Sequence, residues 1–103
     1  MRFILIAVLL FPFIARADDY MLTIKDHMFQ PAELTVPAGT KIKLTVENQD
    51  PTPEEFDSYD LNREKVISGH GTATIFIGPL DAGRYTFTGE FHSATAQGVI
   101  IAK

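Results

Sequence analysis

The chain has 103 residues, nine basic and thirteen acidic side chains, a net charge of −4 and no cysteine. That length allows one small domain. The acidic balance argues against a nucleic-acid partner, which wants a basic face, and without a thiol there are no disulfides, thiolate ligands or thiol chemistry. Arg2, the apolar run from Phe3 to Ile14, and Ala15-Arg16-Ala17 together fit a cleaved secretory signal over residues 1–17. The run is shorter than the roughly 20 apolar residues that span a bilayer. The expectation is therefore an exported domain over residues 18–103, with no membrane insertion after cleavage. Losing Arg2 and Arg16 leaves seven bases against thirteen acids, about −6, a charge compatible with attracting cations.

Tyr20, Leu22 and Ile24 alternate with Met21, Thr23 and Lys25, the pattern of a half-buried strand. Asp26 to Pro31 breaks it. Glu33 to Val36 predicts a second short strand, closed by the turn residues Pro37-Ala38-Gly39-Thr40. Lys41 to Glu47 alternates strictly, with Ile42, Leu44 and Val46 on one face. Asn48 to Pro53 is a polar turn whose two prolines exclude a central strand. Phe56, Tyr59 and Leu61 suit neither helix nor strand period, so Glu54 to Lys65 is expected to be a strand stub with an irregular excursion. Val66-Ile67 and Ala73, Ile75 and Ile77 predict strand fragments around a hairpin turn at Ser68-Gly69-His70-Gly71, with His70 exposed. Gly78 to Gly83 turns the chain into Tyr85 and Phe87, and Val99-Ile100-Ile101 closes it. About seven short strands with turn signals every eight to twelve residues predict an all-β Greek-key sandwich or barrel. Met21, Met28, Phe29, Phe56, Phe76, Phe87 and Phe91 are its expected core aromatics and methionines.

Phe29-x-Pro31, Val36-Pro37-Ala38-Gly39-Thr40, Val46-x-Asn48 and Pro79-Leu80-x-Ala82-Gly83-x-Tyr85-x-Phe87 resemble the cupredoxins, the blue-copper family, over nearly the whole predicted domain. The family's C-terminal metal loop, Y-x-F-x-C-x-x-H-x-x-x-M-x-G, is matched by Tyr85, Phe87, Gly89, His92, Ala96 and Gly98. Gly89 thus stands at the thiolate position, Ala96 at the axial thioether, and Glu54 where the first imidazole falls. Only His92 remains of the four ligands. A type 1 blue-copper site, two imidazoles with a thiolate and a weak thioether, is excluded, and with it a blue electron carrier.

The site has either been lost or been replaced. Glu54, Glu55 and Glu90 lie in the two loops that face each other in the family, with His92 beside them and His27 as a further candidate at the same end. Carboxylates with an imidazole suit iron, manganese, zinc or non-blue Cu(II). Packed together they repel one another unless a cation intervenes, and Arg63, with Lys65 nearby, is the candidate to neutralise them without a metal. His27 with Met28 is a minimal copper chelate. No Ser-His-acid arrangement or phosphate loop is present, so no catalytic residue is assigned.

The segments Pro53 to Phe56, Asp60 to Lys65 and Gly89 to His92 are most similar to a cysteine-free cupredoxin branch found with bacterial ferrous-iron uptake systems. That resemblance implies a periplasmic accessory protein that binds a copper or iron ion. Its partner would be a periplasmic iron-binding protein or a membrane iron permease, and it would assist oxidation of ferrous iron before handover. The alternative is a metal-free interaction module that docks a partner through its acidic rim.

Overall fold

A computed structural model describes residues 17–103; the expected signal, apart from Ala17, lies outside them. Among these described residues nine strands form two sheets. One runs in the order β2-β1-β4-β7 and comprises β1 (Asp18–Lys25), β2 (Met28–Gln30), β4 (Ile42–Asn48) and β7 (Thr72–Ile77). The other runs β3-β9-β8-β5-β6 and comprises β3 (Glu33–Val36), β5 (Glu54–Ser58), β6 (Arg63–Ile67), β8 (Gly83–Gly89) and β9 (Gln97–Ala102). Two pairings are parallel, β1 with β4 and β3 with β9, so the chain crosses between the sheets. The expected sandwich is present, with nine strands where about seven were predicted.

The unpredicted strand is β2, which forms inside the expected break at Asp26 to Pro31, and the stretch from Glu54 to Gly71 differs from the expectation in two further ways. Residues 54–67 form a regular antiparallel hairpin, with Glu54 opposite Ile67 and Ser58 opposite Arg63, in place of the expected excursion. The aromatic spacing misleads because Tyr59 lies in the turn, fully in solvent. The Ser58 hydroxyl fixes that turn by donating to the Thr86 carbonyl (2.7 Å) and accepting from the Leu61 amide (3.0 Å). Residues 68–71 do not form a hairpin, since β6 and β7 belong to different sheets. His70 is exposed there, as expected.

Strand alternation fills the interior from both sheets: Leu22 and Ile24 from β1; Ile42, Leu44 and Val46 from β4; Phe56, Phe87 and Ile100 from the other sheet. Burying such side chains contributes about 1.5–3 kcal/mol each. Phe29, Phe56 and Phe87 make an aromatic cluster, with Phe29 edge-on to Phe87 at 4.9 Å and Phe56 stacked on Phe87 at 5.0 Å. The other predicted core residues are outside. Phe76 is 47% and Phe91 50% exposed, and Met21 and Met28 are likewise exposed, because each occupies the outward phase of its strand or a turn. Phe76 packs under the Lys41 ammonium instead, 4.9 Å from the ring centre.

Arg63 is also placed differently from the expectation. Its guanidinium donates to the backbone carbonyls of Phe76 (2.9 Å) and Asn62 (2.8 Å), tying β6 to β7 where the sheets meet. It makes no ion pair with the glutamates; among the described residues the one ion pair joins Glu54 and His92.

Candidate functional site

Glu54 is the first residue of β5, and strand alternation sends its side chain inward with Phe56 and Ser58. Only 1% of it is exposed. A buried carboxylate is tolerable only with its oxygens satisfied. Oε1 accepts from the backbone amides of Glu55 (3.0 Å) and Phe91 (2.9 Å), and Oε2 lies 2.6 Å from Nδ1 of His92. A carboxylate only accepts, so Nδ1 carries the proton; in the neutral ring Nε2 then keeps its lone pair. His92 ends a short 3-10 helix, Glu90–His92, that follows β8 directly, and a quarter of its side chain is exposed.

His27 lies against the outer face of that imidazole. The two rings stack with centres 3.5 Å apart and planes within 11°. His27 belongs to the two-residue loop between β1 and β2, where Asp26 and His27 both have positive φ, 52° and 56°. This is the backbone of a type I′ hairpin turn, normally written with Asn-Gly or Asp-Gly. Asp50 holds it, Oδ1 accepting from the Asp26 amide (2.9 Å) and Oδ2 from the His27 amide (3.0 Å). Asp50 is in turn fixed by Asn48, whose Oδ1 accepts the Asp50 amide and whose Nδ2 donates to the carbonyls of Thr52, Ile67 and Ser68.

The amide of His27 holds the Asp50 carboxyl below the usual carboxylate range; burial opposes this, and the Asp26 amide and the charges of His27 and His92 reinforce it. A depressed carboxylate stabilises the fold above its unfolded pKa, and that contribution disappears as pH falls through the lower folded value. Wild type is therefore expected to lose stability on the acid side of pH 4, and Asp50→Asn to show a flatter acid limb in thermal melts between pH 5 and 2.

Glu54, His92 and His27 are thus brought together. Glu55 and Glu90 are not. Glu55 points from the opposite face of β5, and Glu90 is exposed. Burial, and then Glu64, Asp57, Glu90 and Glu54 in that order, raise the Glu55 carboxyl, as like charges across adjacent strands do. An open hollow of about 500 Å³, lined by Asp57, Ser58, Tyr59, Asn62, Arg63 and Glu64, lies at the other end of β5 and takes no part in the site. Asp50 and Asn48 went unassigned in the sequence because their roles are made through distant backbone amides and carbonyls.

The copper geometry of the family does not fit this chain. A Cβ built on Gly89 falls 2.6 Å from Ala96 Cβ, 2.7 Å from Glu54 Cδ and 2.9 Å from Glu54 Oε2. The Ala96 methyl and the Glu54 carboxylate together fill the space that a side chain at the thiolate position needs. Among the described residues, no group of three or more His, Asp or Glu side chains is gathered to hold a metal ion. The donors facing outward are ring nitrogens. Nε2 of His92 makes none of the hydrogen bonds of the site, and Nε2 of His27 has a 3.5 Å contact with the Thr52 hydroxyl.

A two-sheet barrel with its candidate site among the loops at one tip defines a cupredoxin-type protein. The chain belongs to the cupredoxin-like domain family, whose model matches residues 2–102. An uncharacterised protein of Rickettsia prowazekii (strain Madrid E) is 50% identical over 83 residues, covering 81% of this chain but 66% of that protein. Auracyanin A, a blue copper protein from Chloroflexus aurantiacus, superposes with a TM-score of 0.72 at 14% identity, over 85% of this chain and 100% of its own. Amicyanin from Paracoccus versutus gives 0.65 at 18%, over 85% and 84%. The metal-binding domain of the Streptococcus pneumoniae Cu(I)-exporting ATPase CopA gives 0.69 at 16%, over 82% and 84%. At these identities the structural likeness establishes the fold.

Proposed function

We propose that this is an exported, periplasmic metal-handling protein in which the buried cupredoxin copper site has been replaced by a surface imidazole pair. His92 and His27 are the donors for a single Cu(II) or iron ion, and Glu54 is the carboxylate behind His92 rather than a ligand. The 2.6 Å bond from Nδ1 of His92 to Glu54 carries the reading. A metal-binding histidine commonly donates its other ring N–H to a carboxylate, which fixes the tautomer and makes the free nitrogen more basic. Parallel rings aim their in-plane lone pairs in parallel directions, so both reach one ion only after one ring turns out of the stack. The net negative charge favours cation capture. Service as an accessory of iron uptake, receiving ferrous iron and handing it to a binding protein or permease, rests on the resemblance of the Pro53 to Phe56 and Gly89 to His92 segments.

Titration of chelator-stripped protein with Cu(II), Fe(II), Fe(III) and Zn(II) tests this. One ion per chain is expected, weakened about tenfold or more by His92→Ala and by His27→Gly. Glycine suits the positive φ of residue 27, so His27→Gly is expected to keep or raise Tm while losing metal. Diamagnetic Zn(II) should also remove the mutual ring-current shifts of the two imidazoles. The second reading, a metal-free docking module, is favoured by the complete internal satisfaction of the Glu54 oxygens. Absence of binding tighter than about millimolar for all four ions would leave that reading alone.

A further inference from the structure

We infer that Asp50, assisted by Thr95, is a positioning residue that holds His27 in register over His92, by gripping the His27 backbone rather than its ring. It refines the metal-handling reading, and its first test does not depend on that reading.

The inference rests on where the hydrogen bonds fall. The His27 ring has one contact with Thr52, at 3.5 Å, the limit of a hydrogen bond. Its main chain is held at both ends. Asp50 Oδ2 accepts the amide at 3.0 Å, and the Thr95 hydroxyl donates to the carbonyl at 2.6 Å. These partners come from two loops distant in sequence, one between β4 and β5, the other between the 3-10 helix and β9. The same Thr95 hydroxyl lies 3.3 Å from the His92 carbonyl, and the Ala96 amide donates to that carbonyl at 2.9 Å. Thr95 therefore references both histidines to one another, and Asp50 references His27 to the sandwich through Asn48.

Strain supports a role beyond folding. A non-glycine residue at positive φ is strained and persists only where its surroundings over-determine it. Asp26 and His27 are two such residues in succession, where an Asp-Gly turn would relieve one of them. The visible product of a histidine at the second position is the 3.5 Å stack on His92.

The experiment uses metal-free protein and follows the imidazole protons by NMR. Wild type is expected to show cross-ring nuclear Overhauser effects between His27 and His92 and mutual ring-current shifts. Asp50→Ala, which removes both acceptors, should abolish them while the His92 Nδ1 proton stays bound to Glu54. Asp50→Asn, which keeps one acceptor oxygen, should restore part of the signal, and Thr95→Val should weaken it without changing side-chain shape. Cu(II) affinity should fall in the same order, by about tenfold for Asp50→Ala. A lowered Tm with the cross-ring signals intact in Asp50→Ala overturns the inference, since Asp50 would then only stabilise the fold. If Asp50→Ala does not fold, intact signals in both Asp50→Asn and Thr95→Val overturn it equally. Loss of the signals in a protein that binds none of the metals upholds the positioning role and defeats the metal reading.

Discussion

Glu54→Ala is expected to cost about 3–5 kcal/mol, because it takes the acceptor away from several buried donors at once. Its carboxylate satisfies two backbone amides and one ring N–H, and each buried donor left unpaired costs about 1–3 kcal/mol. Stability of a domain this size totals about 5–15 kcal/mol, and each kcal/mol moves Tm by about 4–8 °C. A drop of more than about 12 °C is therefore expected in a thermal melt. Glu54→Gln separates folding from chemistry. Its carbonyl oxygen still accepts the Glu55 and Phe91 amides, so the loss should be only about 1–2 kcal/mol, the difference between charged and neutral hydrogen bonds. The amide NH2 then faces Nδ1 of His92, which must turn from donor to acceptor. The proton moves to Nε2, and the outward lone pair is lost. Nitrogen-15 shifts should report the exchanged tautomer, and metal affinity should fall as far as in His92→Ala. A Glu54→Gln protein that keeps Nδ1–H and full affinity would show that Glu54 does not set the state of His92.

Much of the sandwich could be read from alternation alone. The strands at Glu33–Val36 and Ile42–Asn48 lie where period two puts them. The β5–β6 hairpin is hard to read because apolar residues alone do not mark its inward face. In Glu54-Glu55-Phe56-Asp57-Ser58 the inward phase is Glu54, Phe56 and Ser58, two of them polar. A carboxylate and a hydroxyl can occupy that phase because backbone amides and a carbonyl from β8 and the loop after it receive them. Those partners have no side-chain signature. The meeting of Glu54 with His92 could be read from the family frame, which fixes which loops share a tip. That Glu55 points away follows from its being the next residue in the same strand. The Asp26-His27 turn was hidden for another reason: it lacks the glycine that usually marks a two-residue hairpin loop, and it is held by an Asp50 whose sequence neighbours say nothing about its partners.

Gly89→Ala tests whether the carboxylate has taken over the thiolate space. The added methyl would sit 2.6 Å from Ala96 Cβ and 2.7 Å from Glu54 Cδ, well inside the roughly 3.5–4.0 Å optimum for carbon pairs. Overpacking of this kind costs about 1–3 kcal/mol, and the upper part of that range is expected. The diagnostic quantity is the coupling to Glu54. With Glu54→Ala already in place one of the two obstacles is gone, so Gly89→Ala should cost at least about 1 kcal/mol less than in wild type. Costs that add to within about 0.5 kcal/mol would mean the two residues do not compete for the same volume. The same reasoning predicts how copper chemistry would return. Gly89→Cys alone leaves the carboxylate in place, so its complex with Cu(II) should be colourless or nearly so. Combined with Glu54→His and Ala96→Met, it assembles two imidazoles, a thiolate and a thioether at one tip, and intense visible absorption should appear on adding Cu(II). Colour in the triple variant, with none in Gly89→Cys alone, would show that the four positions converge on one ion once the carboxylate is replaced.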